Sequence, residues 1–206
     1  MKKLMIVFAL VLITGLSAVA QEVPKVDIFL GYSMFRANSD QGIDAFTMNG
    51  GMGTLGWNFN NHLAAEFEFG GYSTGHINGR DIDTTNLTFL FGPRFSVSRK
   101  GKFDPYVHFL FGGDRLTYSG MPSAVPCTGL NCTTYLANSQ VNFGMAIGGG
   151  LDIKMTHHLR LRPAQIDYLL TRFETINVAN PTGPTANHNQ NNFRYSAGLV
   201  FDFGAK

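Results

Sequence analysis

"NLTFLFGPRFSVS", residues 86–98, sets a proline and an arginine inside an otherwise apolar run. Taken every second residue, it divides into Leu87, Phe89, Phe91, Pro93, Phe95 and Val97 on one face and Asn86, Thr88, Leu90, Gly92, Arg94 and Ser96 on the other. Side chains alternate across the two faces of a β-strand, so this period reads as a strand with one face in an apolar medium and one among polar groups. Where Arg94 ends up depends on what that second face looks at.

The same period recurs. "NFGMAIGGGLDI" (142–153) sets Phe143, Met145, Ile147, Leu151 and Ile153 against Asn142, Gly144, Ala146, Gly148, Gly150 and Asp152, and "NFRYSAGLVFDF" (192–203) repeats the division. Working outward from these, the pattern predicts eight strands near 26–36, 46–59, 62–75, 84–98, 103–117, 139–154, 159–173 and 191–203. Each is long enough for a tilted membrane crossing of about 9–11 residues. Gly50, Gly51, Gly53 and Gly56 dilute the second strand, and Phe29 and Phe35 fall on the polar phase of the first. The connections alternate: Asn60-Asn61, residues 99–102 and residues 155–158 are tight, while 37–45, 76–83, 118–138 and 174–190 are longer and polar.

Alternation alone does not say which face is outside, because a soluble barrel alternates too, with its apolar face inward. Composition decides. Charged residues make up 15% of the chain, against roughly 25% in soluble domains, while there are 24 glycines and 18 phenylalanines. The polar phase holds Gly, Ser, Asn, Thr and Ala rather than the Lys and Glu of a soluble outer face, and small residues suit a narrow, filled interior. The expectation is therefore an all-β fold: a closed eight-stranded antiparallel up-and-down transmembrane β-barrel, with short periplasmic turns and long external loops. Trp57, Tyr72, Tyr106, Tyr168 and Tyr195 lie where some would join interfacial aromatic girdles.

Lys2 and Lys3, the apolar stretch from Leu4 to Leu16 and Ala18-Val19-Ala20 predict a signal peptide over 1–20, with Gln21 beginning a barrel domain over 21–206. Losing Lys2 and Lys3 takes the basic count from 16 to 14, against 14 acidic residues, so nucleic-acid binding has no electrostatic support. Cys127 and Cys132 flank "TGLN" in a loop-like stretch, and in an exported chain the pair reads as a disulfide.

With the polar phase inward, Arg94 points into the lumen. The same phase sends Glu66, Glu68, His108, Asp152, Arg160, Arg162, Arg194 and Asp202 inward. Buried charges need partners, and with both signs present a mutually neutralising network is expected. After Arg162 the phase of the seventh strand breaks, and a one-residue bulge at Pro163 would return Gln165 and Asp167 to the lumen. Pro93 raises the same difficulty, with a local bulge as the available answer. No serine, histidine and acid share a catalytic spacing, no cluster has metal-ligand spacing, and Gly148 to Gly150 lie within a strand rather than opening a helix, so no enzyme, metal or cofactor is expected.

"VDIFLGYSMF", "LGWNFNNHLAAEFEFGGY", "FGPRFS", "PYVHFLFGG", "GGGLDIKMTHHLRLRPAQIDYLLTRF" and "YSAGLVFDF", in that order, resemble the eight-stranded outer-membrane β-barrel superfamily typified by the transmembrane domain of outer-membrane protein A and by opacity-type proteins. The resemblance implies outer-membrane lipids and the barrel-assembly machinery as partners. It makes Phe201 and Phe203 the candidates for an assembly signal, although Gly204-Ala205-Lys206 follows where the family ends on the aromatic. It also matches Glu66 or Glu68, and Arg160 or Arg162, to an interior glutamate and arginine that act as a pore gate. The leading functional expectation is envelope structure and surface interaction, through external loops, with an unidentified extracellular ligand. A small gated ion pore is the alternative, and a lipid-modifying barrel enzyme the least supported.

Overall fold

The structure, a computed structural model, describes residues 23–38, 45–77, 80–99, 101–119, 139–175 and 186–204. The segment read as a signal peptide, and Cys127 and Cys132, lie outside them. The strands are β1 (Val26–Ala37), β2 (Phe46–Asn58), β3 (Leu63–Ile77), β4 (Arg80–Ser96), β5 (Phe103–Ser119), β6 (Ser139–Lys154), β7 (Leu159–Thr175) and β8 (Ala186–Phe203). Each pairs antiparallel with the next, and β8 closes on β1.

The register sets the size of the cylinder. A path perpendicular to the strands starts at Lys25, whose carbonyl accepts the Asn58 N–H, and runs through Ala64, Arg94, His108, Gly148, Asp167 and Arg194 to Phe35. Between Lys25 and Phe35 it has climbed ten residues of β1. Eight strands with that stagger, at a rise of about 3.3 Å and a spacing of about 4.7 Å, tilt by about 41° and enclose a cylinder of radius about 8 Å. Such an interior holds side chains and little else.

The apolar phase forms the outer surface: Phe67, Phe69, Phe95 and Phe143 are 51–58% exposed, and Trp57 is 56% exposed. Of the aromatics considered for the girdles, Tyr72 and Tyr106 instead lie buried in the lumen, in phase with Glu68 and His108. Phe29 and Phe35 also point inward, at 0% and 1% exposure. The second strand tolerates its glycines because one of them is a clearance: a Cβ on Gly56 would sit 2.5 Å from Asp27 Oδ1 and 2.7 Å from Arg94 Nη2.

Both prolines interrupt a ladder, in different ways. At Pro163 the β7–β8 register shifts between Arg162 and Gln165, which keeps Arg162, Gln165 and Asp167 on the luminal face. At Pro93 the expected bulge does not occur. Pairing with β5 lapses between Phe91 and Arg94 and resumes in the same register, so a residue without an N–H is accommodated by an omitted stretch of ladder.

The connection at 76–83 is shorter than its polar sequence suggests. β3 and β4 continue through a shift between Thr74 and His76 until Ile77 pairs with Arg80. β1 and β2 have 12 and 13 residues, whereas β3 to β8 have 15 to 18. At about 2.5 Å of height per tilted residue, the paired ends of β4 to β8 stand about 8 Å beyond those of β1 and β2 at the end away from the tight turns. The paired edge is uneven.

Candidate functional site in the barrel lumen

The luminal charges occupy the half of the barrel nearer the tight turns, where β1 and β3 to β8 each contribute to one connected set. At its base Arg160 grips Asp202 with two bonds, Nε to Oδ2 at 2.8 Å and Nη2 to Oδ1 at 2.5 Å, and donates Nη1 to Asp152 at 3.1 Å. Arg162 takes the same Asp152 through Nε at 2.7 Å and Nη2 at 3.1 Å, and donates Nη1 to Gln165 Oε1 at 2.8 Å. Its guanidinium lies 4.5 Å from the ring centroids of both Phe29 and Tyr106. The ring that breaks the polar phase of β1 therefore serves the charge network as a cation–π platform.

Arg94 is 1% exposed and bridges two carboxylates, donating Nη2 to Asp27 at 2.5 Å and Nη1 to Glu66 at 2.9 Å. Asn58 Nδ2 supports Asp27 from the other side at 2.8 Å. His108 links this group to the next, with Nδ1 2.9 Å from Glu66 Oε1 and Nε2 2.7 Å from Asp167 Oδ1. An ionised carboxylate only accepts hydrogen bonds and a neutral imidazole has one N–H. Two such contacts require one proton more than a neutral ring between two carboxylates holds. Above it, Arg194 is fully buried and donates to both oxygens of Glu68 at 2.5 and 2.6 Å and to Asp167 Oδ2 at 2.6 and 2.9 Å. The Tyr72 hydroxyl lies 3.2 Å from its Nη1.

Glu66, Glu68, Arg94, Asp152, Arg160, Arg162, Arg194 and Asp202 are all 0–4% exposed. The partnership implied by the resemblance, Glu66 or Glu68 with Arg160 or Arg162, is not the one formed. Glu66 takes Arg94 and His108, and Glu68 takes Arg194. The stagger explains this: Arg160 sits low on β7, level with Asp202 and Asp152, while the two glutamates stand higher on β3 beside Arg94 and Arg194. Phase reasoning overlooked Asp27, which shares the inward phase with Phe29 and Phe35. It also overlooked Asp104, 3.6 Å from Arg160, and Arg99, 3.7 Å from Asp27.

Beyond Arg194 apolar side chains join the luminal lining. Phe35, Ala37, Met48, Tyr72, Leu90, Leu110, Ala146 and Leu169 form one buried cluster, with Phe35 and Tyr72 rings 5.3 Å apart. Among the described residues no three His, Cys, Asp or Glu converge as a metal site.

Over residues 6–204 the sequence matches the family described as "Outer membrane protein beta-barrel domain". The chain belongs to that family. This outer-membrane barrel accordingly resides in the bacterial outer membrane, with lipid around its apolar band. Solved structures share the fold. Neisserial surface protein A superposes with a TM-score of 0.60 at 13% identity, covering 87% of this chain and 97% of that one. The outer membrane protein OprG from Pseudomonas aeruginosa gives 0.52 at 13% identity, covering 89% and 97%. Ail, the attachment invasion locus protein of Yersinia pestis, gives 0.51 at 15% identity, covering 87% and 99%. A search of curated proteins found no match.

Proposed function

We propose that this outer-membrane barrel is a plugged, non-catalytic anchor that holds its external connections at the cell surface for interaction with an extracellular partner. The observation that carries the reading is the filled lumen, in which Arg94, Arg160, Arg162 and Arg194 are 0–4% exposed and each bonds at least one carboxylate. Breaking such pairs strands a buried charge, so the arrangement favours a fixed plug over a breathing gate. The alternative of a small gated pore then lacks a mobile pair. The one histidine in the network, His108, has both ring nitrogens engaged and offers no free base to a lipid substrate.

With the lumen closed, function falls to the rim. Residues 120–138 and 176–185 contain no Asp, Glu, Lys or Arg and are rich in Pro, Thr, Asn and Gly. Such connections suit a neutral partner, recognised by hydrogen bonds and shape, better than a polyanion. Insertion by the barrel-assembly machinery through Phe201 and Phe203 belongs to the same reading.

Two measurements test it. Purified refolded protein in planar bilayers should give no discrete conductance steps, and reproducible steps abolished by Glu68→Gln would replace the anchor with a pore. Cells displaying the protein should bind a neutral-glycan or matrix-protein array and lose that binding when 120–138 is replaced by a short Gly-Ser linker. Binding unaffected by that replacement and by a like replacement of 176–185 would remove the surface role.

A further inference from the structure

The outer lumen contains a second polar group, which the ion network does not reach. Asp114 lies six residues up β5 from His108, about 15 Å along the axis at this tilt, and is 2% exposed. Across the ladder it pairs with Thr88 on β4 and Asn142 on β6. Asn86 Nδ2 donates to its Oδ2 at 3.4 Å, and Thr171 stands on the luminal face of β7. Thr171 in turn accepts Asn192 Nδ2 at 3.1 Å from β8. None of the ion pairs of the luminal network includes this carboxylate.

The group is incompletely satisfied. Asp114 Oδ1, Asn86 Oδ1, Thr88 Oγ1, Asn192 Oδ1 and Asn142 Nδ2 are buried without a protein partner. An unpartnered buried polar atom is costly and an uncompensated carboxylate costs most. Water satisfies lone pairs without neutralising the charge. The unpartnered atoms are mostly acceptors, and Asn142 adds another if its amide is turned over. One negative charge among neutral oxygens is hard-cation chemistry. The set offers oxygens and no His or Cys, the donors of a hard cation and not of a transition metal.

We propose that the outer lumen of this barrel is a cation site, loaded from the extracellular side, in which Asp114 supplies the charge and Asn86, Thr88 and Asn192 supply neutral oxygens to Ca²⁺ or Na⁺. A single carboxylate makes it a weak site, of the ~10⁻⁴–10⁻³ M class found in extracellular calcium modules. The ion ties β4, β5 and β8 together on the longer-paired side of the barrel. The inference is independent of the partner of the external connections.

The mature protein, refolded in detergent micelles, is heated and scored by the shift between folded and unfolded bands on a gel. CaCl₂ and NaCl are titrated separately, with choline chloride holding ionic strength constant. One of the two should raise the midpoint saturably, by ~4 °C near tenfold its Kd, and which one does so names the ion. Asp114→Asn should abolish the response and begin from a cation-free midpoint no lower than the wild type's. Should that variant fail to fold, Thr88→Val keeps the charge but loses an oxygen, and its titration should move several-fold to higher cation concentration. No saturable response to either ion, or an undiminished response in the variants, overturns the site.

Discussion

Replacing Arg94 with methionine removes a cation while keeping much of its volume. The guanidinium touches Asp27 at 2.5 Å and Glu66 at 2.9 Å, and all three residues are 0–1% exposed. Taking one partner out of a buried ion pair costs about 3–5 kcal/mol, because the remaining charge is left in a medium that cannot solvate it. The loss here should fall toward the lower end. Asp27 keeps Arg99 and Arg160 at 3.7 Å, and Glu66 keeps His108 at 2.9 Å. Arg94→Met is expected to cost about 3 kcal/mol, and adding Asp27→Asn with Glu66→Gln should restore most of it, since the stranded charges are then gone. Trp57, the single tryptophan, faces lipid at 56% exposure and reports insertion by its fluorescence. Equilibrium urea titrations in lipid vesicles would supply the three stabilities. A cost under about 1 kcal/mol, or a triple variant no more stable than Arg94→Met, would refute the account of the lumen as a charge-balanced plug.

Gly56→Ala should lower stability by about 1–3 kcal/mol, read in the same titration, because the new methyl intrudes on the Asp27–Arg94 contact. Phe29→Leu keeps an apolar side chain but removes one of the two rings around Arg162; a loss of about 1–2 kcal/mol is expected in that titration, and an unchanged stability would remove the ring's part in the network. Alkylation of the mature protein under denaturing, non-reducing conditions should label neither Cys127 nor Cys132, and labelling of both would remove the proposed disulfide. N-terminal sequencing of protein from outer membranes should begin at Gln21, and a start at Met1 would end the signal-peptide reading.

The strand count and the outward face were legible because lipid imposes one rule on every strand: each second residue must be apolar. The segment 86–98 carries that rule so plainly that Arg94 could be turned inward from its neighbours alone. Strand length at the rim was hidden, since beyond the lipid band the rule lapses and residues 76–83 look like any polar loop even though Ile77 and Arg80 still pair. Phe29 and Phe35 lie inward as their phase has them, but the period does not say why a ring belongs there: an interior needs rings as well as charges, and Phe29 underlies the Arg162 guanidinium. The partners within the lumen were the least legible part. Which glutamate meets which arginine follows from the ten-residue climb from Lys25 to Phe35, and that stagger is a property of the closed cylinder that no single strand records.

The shorter pairing of β1 and β2 gives this cylinder a front and a back: the ladder that carries the outer connections reaches farther on one flank than on the other. Two molecules side by side would present unlike flanks unless turned to face each other, so orientation within the plane of the membrane becomes part of what the protein displays.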